Sequence, residues 1–135
     1  FPAWIPELDL SKRSHLELDL ARVYEIVGTH YPDNIVAQYN TVLDRTQVSY
    51  FQAMNGGSAA SWSSSMKDSI NNIIQTTPNF VTYVAPGTRH CIIPSNEFYQ
   101  LEVDGVRFVD WLRDLIAGNK IENIYCDSCD GFVSQ

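Results

Sequence analysis

Two residues of this chain stand where a side chain can do acid–base work. Asp44 closes the stretch Ala37-Gln-Tyr-Asn-Thr-Val-Leu-Asp44, and His90 follows Phe80-Val-Thr-Tyr-Val-Ala85 across Pro86-Gly-Thr-Arg89. Imidazole, with an ordinary pKa of about 6.5, can take a hydroxyl proton and return it to a leaving group near neutral pH. A carboxylate on its other ring nitrogen fixes the tautomer and stabilises the imidazolium. Neither group attacks an ester alone; a hydroxyl nucleophile and donors for the oxyanion are still required. Plainer roles exist for both. Asp44 ahead of Thr46-Gln47 suits a helix N-cap, and His90 suits a loop histidine bonded to backbone.

Whether the two side chains meet depends on the elements beneath them. Residues 35–42 read as a largely buried strand and residues 80–85 as a second one. Parallel strands need a crossover of about a dozen residues or more, and the intervening chain is longer than that. It carries a short helix over residues 46–54, stopped by Asn55-Gly56-Gly57, and a second marked by Trp62, Met66, Ile70, Ile73 and Ile74 before Pro78. Strands paired directly lie about 4.8 Å apart, and both following loops leave from the same carboxyl edge, where open α/β sheets bind ligands. Pro86-Gly87 suits a type II turn at the head of the second loop.

The flanks have their own periods. Leu16, Leu20, Val23, Tyr24 and Val27 recur at helical spacing, with Gly28 placed as the C′ residue and Pro32 beyond it. The first ten residues read as an irregular lead-in. Residues 98–103 read as an extended piece, Asp104-Gly105 as a turn, and residues 106–117 as an amphipathic helix with Val109, Leu112 and Ile116 inward and Gly118 as its cap. No repeat and no dividing linker is visible, so the chain reads as one domain or part of one.

Nine Lys and Arg against sixteen Asp and Glu give a formal charge of −7 without any basic cluster, which argues against nucleic-acid binding. No run approaches the roughly 20 apolar residues of a membrane span. The start at Phe1, without an initiator Met, reads as processing or excerpting from something longer. Cys91, Cys126 and Cys129 form an odd set. A disulfide in an exported protein, joining Cys91 to one tail cysteine, is the favoured reading. A zinc site borrowing His15, His30 or His90, or a redox dithiol at Cys126 and Cys129, trails behind it.

Other residues invite the same weighing. Gly56-Gly-Ser58-Ala-Ala60 mimics a nucleophile turn, but it follows a helix and lies between acid and base, so a flexible loop is expected. Arg89 reads as solvated and His15 and His30 as surface residues. Trp62 and Trp111 fall at core positions of helices rather than on a sugar-stacking platform. Asp104-Gly105 lacks the spaced acidic ligands of a calcium loop.

The stretches Ala37-Gln-Tyr-Asn-Thr-Val-Leu-Asp44-Arg-Thr-Gln-Val48, Ala85-Pro-Gly-Thr-Arg-His90-Cys-Ile-Ile93 and Val103-Asp-Gly-Val-Arg-Phe-Val-Asp-Trp111-Leu112 resemble the pectin acetylesterase family, which includes the Notum-type lipid deacylases. The resemblance runs from Trp4 to Cys129. It implies a secreted, extracellular or periplasmic serine carboxylesterase that removes acetyl or acyl groups from carbohydrate or similar esters, without metal or organic cofactor. Asp44 would be the triad acid and His90 the general base. The family's Gly-x-Ser-x-Gly nucleophile turn lies upstream of the acid, and nothing here fits it; Ser11 and Ser14 lack flanking glycines. The expectation is therefore that residues 1–135 are the C-terminal portion of one α/β-hydrolase-like three-layer sandwich of parallel strands with flanking helices. The N-terminal portion of that domain would bring the nucleophile, and this piece alone would be inactive. The rival expectation is a non-catalytic binding module that keeps the skeleton without the chemistry.

Overall fold

A computed structural model describes residues 5–8 and 19–126. A 3₁₀ turn at Pro6–Leu8 precedes α1 (Leu20–His30), β1 (Val36–Thr41), α2 (Arg45–Ala53), α3 (Ala59–Thr76) and β2 (Phe80–Ala85). Then come α4 (Glu97–Gln100), β3 (Glu102–Val103), β4 (Val106–Arg107), α5 (Phe108–Ile116) and β5 (Ile124–Tyr125). The main sheet runs β1-β2-β5 and is parallel throughout, whereas β3 and β4 form a separate antiparallel hairpin. Residues Leu16, Ser11, Ser14, His15, Trp4 and Cys129 lie outside the described residues.

β2 sits between two strands, and its side chains alternate between two cores. Phe80 and Val84 pack with Ala21 of α1, Val42, and Ile70 and Ile73 of α3. Tyr83 and Ala85 pack on the other face with Ile92, Val103, Phe108 and Trp111. Helices therefore cover both faces of a parallel sheet, and β2 is buried nearly end to end. β1 differs from the expected buried strand. It is an outer strand of the described sheet, so Ala37 is exposed, Val36, Gln38 and Tyr39 are partly covered, and within the strand only Asn40 and Thr41 are buried.

Both flanks depart from their sequence reading in informative ways. α1 begins at Leu20, capped by Asp19, whose carboxylate accepts from Arg22 N at 2.7 Å. Leu20 itself is exposed. Ala21 and Tyr24 face the sheet, while Val23, Ile26 and Val27 cover Ile5 and Leu8, so the lead-in is partly anchored. The helix does not stop at Gly28 but continues to His30. Gly28 is small for a packing reason: a Cβ there would lie 2.4 Å from Thr77 Cγ2 and 2.7 Å from Asn79 Oδ1. The Asn79 amide donates to the carbonyls of Gly28, Tyr31 and Asn34, tying the end of α1 to the turn before β2.

Near the C-terminal end, residues 98–103 are not one extended piece; α4 occupies their start. Asp104 (φ 51°) and Gly105 (φ 80°) make a tight two-residue turn between β3 and β4, the geometry that hairpins favour. That turn uses Val106 and Arg107 as strand, so α5 starts at Phe108. Its inward stripe becomes Phe108, Trp111, Leu112 and Leu115, and Ile116 faces solvent. The Trp111 indole donates to Glu122 O at 3.0 Å. Trp62 is buried at its helical position. No described helix is long and apolar enough to cross a membrane.

Tyr39, Tyr83, Phe108 and Trp111 meet ring to ring beneath α5. Burial pushes the Tyr39 phenol well above its ordinary range and the Tyr83 phenol up to about 12. The unfolded chain ionises near pH ~10, while these groups stay neutral when folded. Their stabilising effect is thus full below pH ~10 and is lost as pH rises from there through the folded value. Two outcomes are expected. Gly28→Ala should cost about 1–3 kcal/mol by overpacking, measured by denaturant unfolding, and an unchanged midpoint would contradict the close approach. Tyr39→Phe should flatten the fall in melting temperature between pH 10 and 12 relative to the parent, and superimposable curves would contradict its burial as a neutral phenol.

Candidate active site

The position of the site follows from backbone hydrogen bonds. β1 and β2 pair in register from Val36–Phe80 to Thr41–Ala85. The pairing then continues past the strands: Val42 N donates to Ala85 O at 2.9 Å, Leu43 N to Gly87 O at 3.1 Å, and Arg45 N to Thr88 O at 2.9 Å. Gly87 takes φ 92°, which the Pro-Gly turn requires and a side chain would resist. The Thr41 hydroxyl donates to Arg89 O at 3.1 Å, fixing the carbonyl just before His90. Two loops from neighbouring strands are thereby held side by side over their whole approach.

Asp44 and His90 meet at the end of that approach. His90 Nδ1 lies 2.8 Å from Asp44 Oδ2 and 3.1 Å from Oδ1. The carboxylate is almost wholly buried, its side chain 2% exposed, whereas the imidazole is 48% exposed. A carboxylate only accepts, so Nδ1 carries the shared proton and Nε2 is the acceptor in the neutral ring. Among the described residues no hydrogen bond engages Nε2. The ring opens into a shallow cavity of about 440 Å³ whose walls include Arg45, Thr88, Arg89 and Cys91. This is the tautomer and exposure that a general base needs.

Comparison of the chain with protein-family models, curated proteins and solved structures finds no match.

The N-cap and the imidazole partner turn out to be one and the same carboxylate. Asp44 Oδ1 accepts from Gln47 N at 2.9 Å, capping α2, while Oδ2 accepts from His90 and, at 3.2 Å, from Gln47 Nε2. Gln47, with its neighbour Asn40, joins the contact although neither stands out in the sequence as a candidate. The signal was present in the Asp-x-x-Gln spacing, which is that of a capping box, although here the Gln amide turns to the carboxylate instead of the cap's backbone. Arg89 is clamped by Glu97 at 2.6 and 2.9 Å, a pair exposed enough to steady the loop more than the fold.

Several candidates settle elsewhere. Gly56–Ser58 form a loop that ends in the N-cap of α3: Ser58 accepts from Ser61 N at 3.1 Å and shares a hydrogen bond with the Ser61 hydroxyl, and Ala59 and Ala60 open the helix. His30 is exposed and packs edge-on against Tyr31. Cys91 is a free, exposed thiol, which overturns its expected pairing with a tail cysteine. Cys126 is disulfide-bonded. The physical reason is placement: Cys91 lies on the cavity rim beyond β2, while Cys126 is packed between the two apolar cores and donates its N–H to Val84 O. Among the described residues no three of His, Cys, Asp and Glu group as metal ligands.

The double duty of Asp44 has a measurable signature. Asp44→Ala should lose about 1–2 kcal/mol of stability through the helix cap, while Asp44→Asn, nearly as good a cap, should lose less than half of that. Urea unfolding checks this, and equal losses would show that the cap is not what the side chain contributes.

Proposed function

We propose that Asp44 and His90 are the acid and base of a carboxylic-ester hydrolase acting through a serine acyl-enzyme, on O-acetylated carbohydrate or similar small acyl esters. The observation that carries this reading is the 2.8 Å contact between Asp44 Oδ2 and His90 Nδ1 at the carboxyl ends of two adjacent parallel strands. His90 Nε2 would take the proton of a serine hydroxyl as its oxygen attacks the ester carbonyl. Collapse of the tetrahedral intermediate breaks the C–O bond, and the same proton passes to the departing alcohol. Water then enters by the reverse traffic: Nε2 removes its proton, the acyl–serine bond breaks, and the serine is reprotonated. Asp44 remains ionised throughout and holds the ring. The serine and the oxyanion donors would come from outside the described residues, in an upstream portion of an α/β-hydrolase-like domain. The disulfide at Cys126 supports an oxidising, exported setting.

An aryl acetate assayed with the intact polypeptide tests this. His90→Ala should lower kcat/KM by about 10³-fold or more, as expected for loss of a triad member. Undiminished turnover would remove the assignment and leave a binding module on a hydrolase-like frame.

A further inference from the structure

We infer that Gln47, steadied by Asn40, is a positioning residue that locks the plane of the Asp44 carboxylate and through it the tautomer of His90. The inference rests on the reading of Asp44 and His90 as acid and base, and it adds the group that makes their contact directional.

An aspartate carboxylate turns about a broad, roughly two-fold torsion, so a single donor on one oxygen does not fix its plane. Gln47 supplies two. Its main-chain N–H holds Oδ1 at 2.9 Å, and its side-chain Nε2 holds Oδ2 at 3.2 Å, the oxygen that also receives His90 Nδ1. The orientation of the Gln47 amide follows from chemistry: only its NH₂ end can face a carboxylate. That end also reaches Asn40 Oδ1, at 3.5 Å, a long contact that steers more than it binds.

Asn40 is the unexpected member. It is 5% exposed, and among the described residues neither its Nδ2 nor the Oε1 of Gln38, on the same face of β1, has a hydrogen-bond partner. A buried, unpaired amide lowers stability, and an apolar side chain of the same size would remove that cost. A strand position under pure packing demand would not hold it. Among the described residues its side chain meets the polar network through Gln47, which points to a role in aiming that amide.

Gln47→Met keeps side-chain length and the main-chain cap but removes the Nε2 donor; Asn40→Leu removes the second brace and the orphaned donor together. In the intact protein, Gln47→Met should lower kcat for aryl acetate by about tenfold, with KM within about twofold. Nitrogen-15 NMR of the His90 ring should show the Nδ1–H tautomer giving way to a mixture. Asn40→Leu should move both readouts in the same direction by less, with a melting temperature equal to or above the parent's. An unchanged tautomer in Gln47→Met, or a lowered melting temperature with tautomer and kcat intact, would overturn the inference and leave Gln47 a structural cap residue. The tautomer reading stands even if the parent does not hydrolyse esters or His90→Ala is as active as the parent, so failure of the esterase reading is seen separately.

Discussion

The parallel pairing of β1 with β2 does more than build a sheet, because its hydrogen bonds do not stop where the strands do. Val42 goes on donating to the last residue of β2, and Leu43 and Arg45 to Gly87 and Thr88 beyond it, so the two loops are zipped together past Thr41 and Ala85. Each such bond contributes only about 0.5–1.5 kcal/mol net, but in series they remove the freedom that would let the loops part. The contact of Asp44 with His90, between residues 46 apart in sequence, is the endpoint of that ladder. It is therefore a property of backbone register, and the side chains inherit it.

This arrangement also couples a helix to an imidazole. One carboxylate caps α2 through Oδ1 and meets His90 through Oδ2, so the first turn of α2 and the ring depend on the placement of the same side chain. The environment reinforces the arrangement from both sides. Beneath it, the aromatic cluster around Tyr83 fixes β2 against α5, and the Tyr83 hydroxyl donates to Val106 O at 2.7 Å. Beside it, Thr41 and the Arg89–Glu97 pair hold the backbone and the outer wall of the loop.

Much of this was legible in the sequence, for physical reasons that can be named. β2 was plain because a strand buried on both faces has no polar alternation to confuse it. The α3 stripe of Trp62, Met66, Ile70 and Ile73 was plain because 18 residues give the helical period room to repeat. Short elements were harder. Asp104-Gly105 announced a turn, but two-residue strands beside it carry too little pattern to be seen, and missing them shifted the inward face of α5. Gly28 reads as a helix end because a glycine's φ freedom and its lack of bulk leave the same mark in a sequence; the neighbours Thr77 and Asn79 distinguish the two uses. The number of thiols in a sequence does not distinguish Cys91, exposed on a cavity rim, from Cys126, packed against the core. Asp44 and His90 stand out through the strands that precede them; Gln47 shows in the sequence only as the third residue after a cap, and Asn40, a polar residue within a strand, has no signature except distance.

β1 has one more consequence. In a parallel ladder alternate residues turn their main-chain groups to opposite sides, so Ala37, Tyr39 and Thr41 direct theirs away from β2. The strand reads Val-Ala-Gln-Tyr-Asn-Thr, without a lysine, a proline or any charge, and these are the usual devices by which an outer strand refuses strangers. Among the described residues nothing pairs with that side of it. Left bare, such a border templates self-recruitment between copies, so handling the polypeptide in concentrated solution turns on whether that flank is shielded.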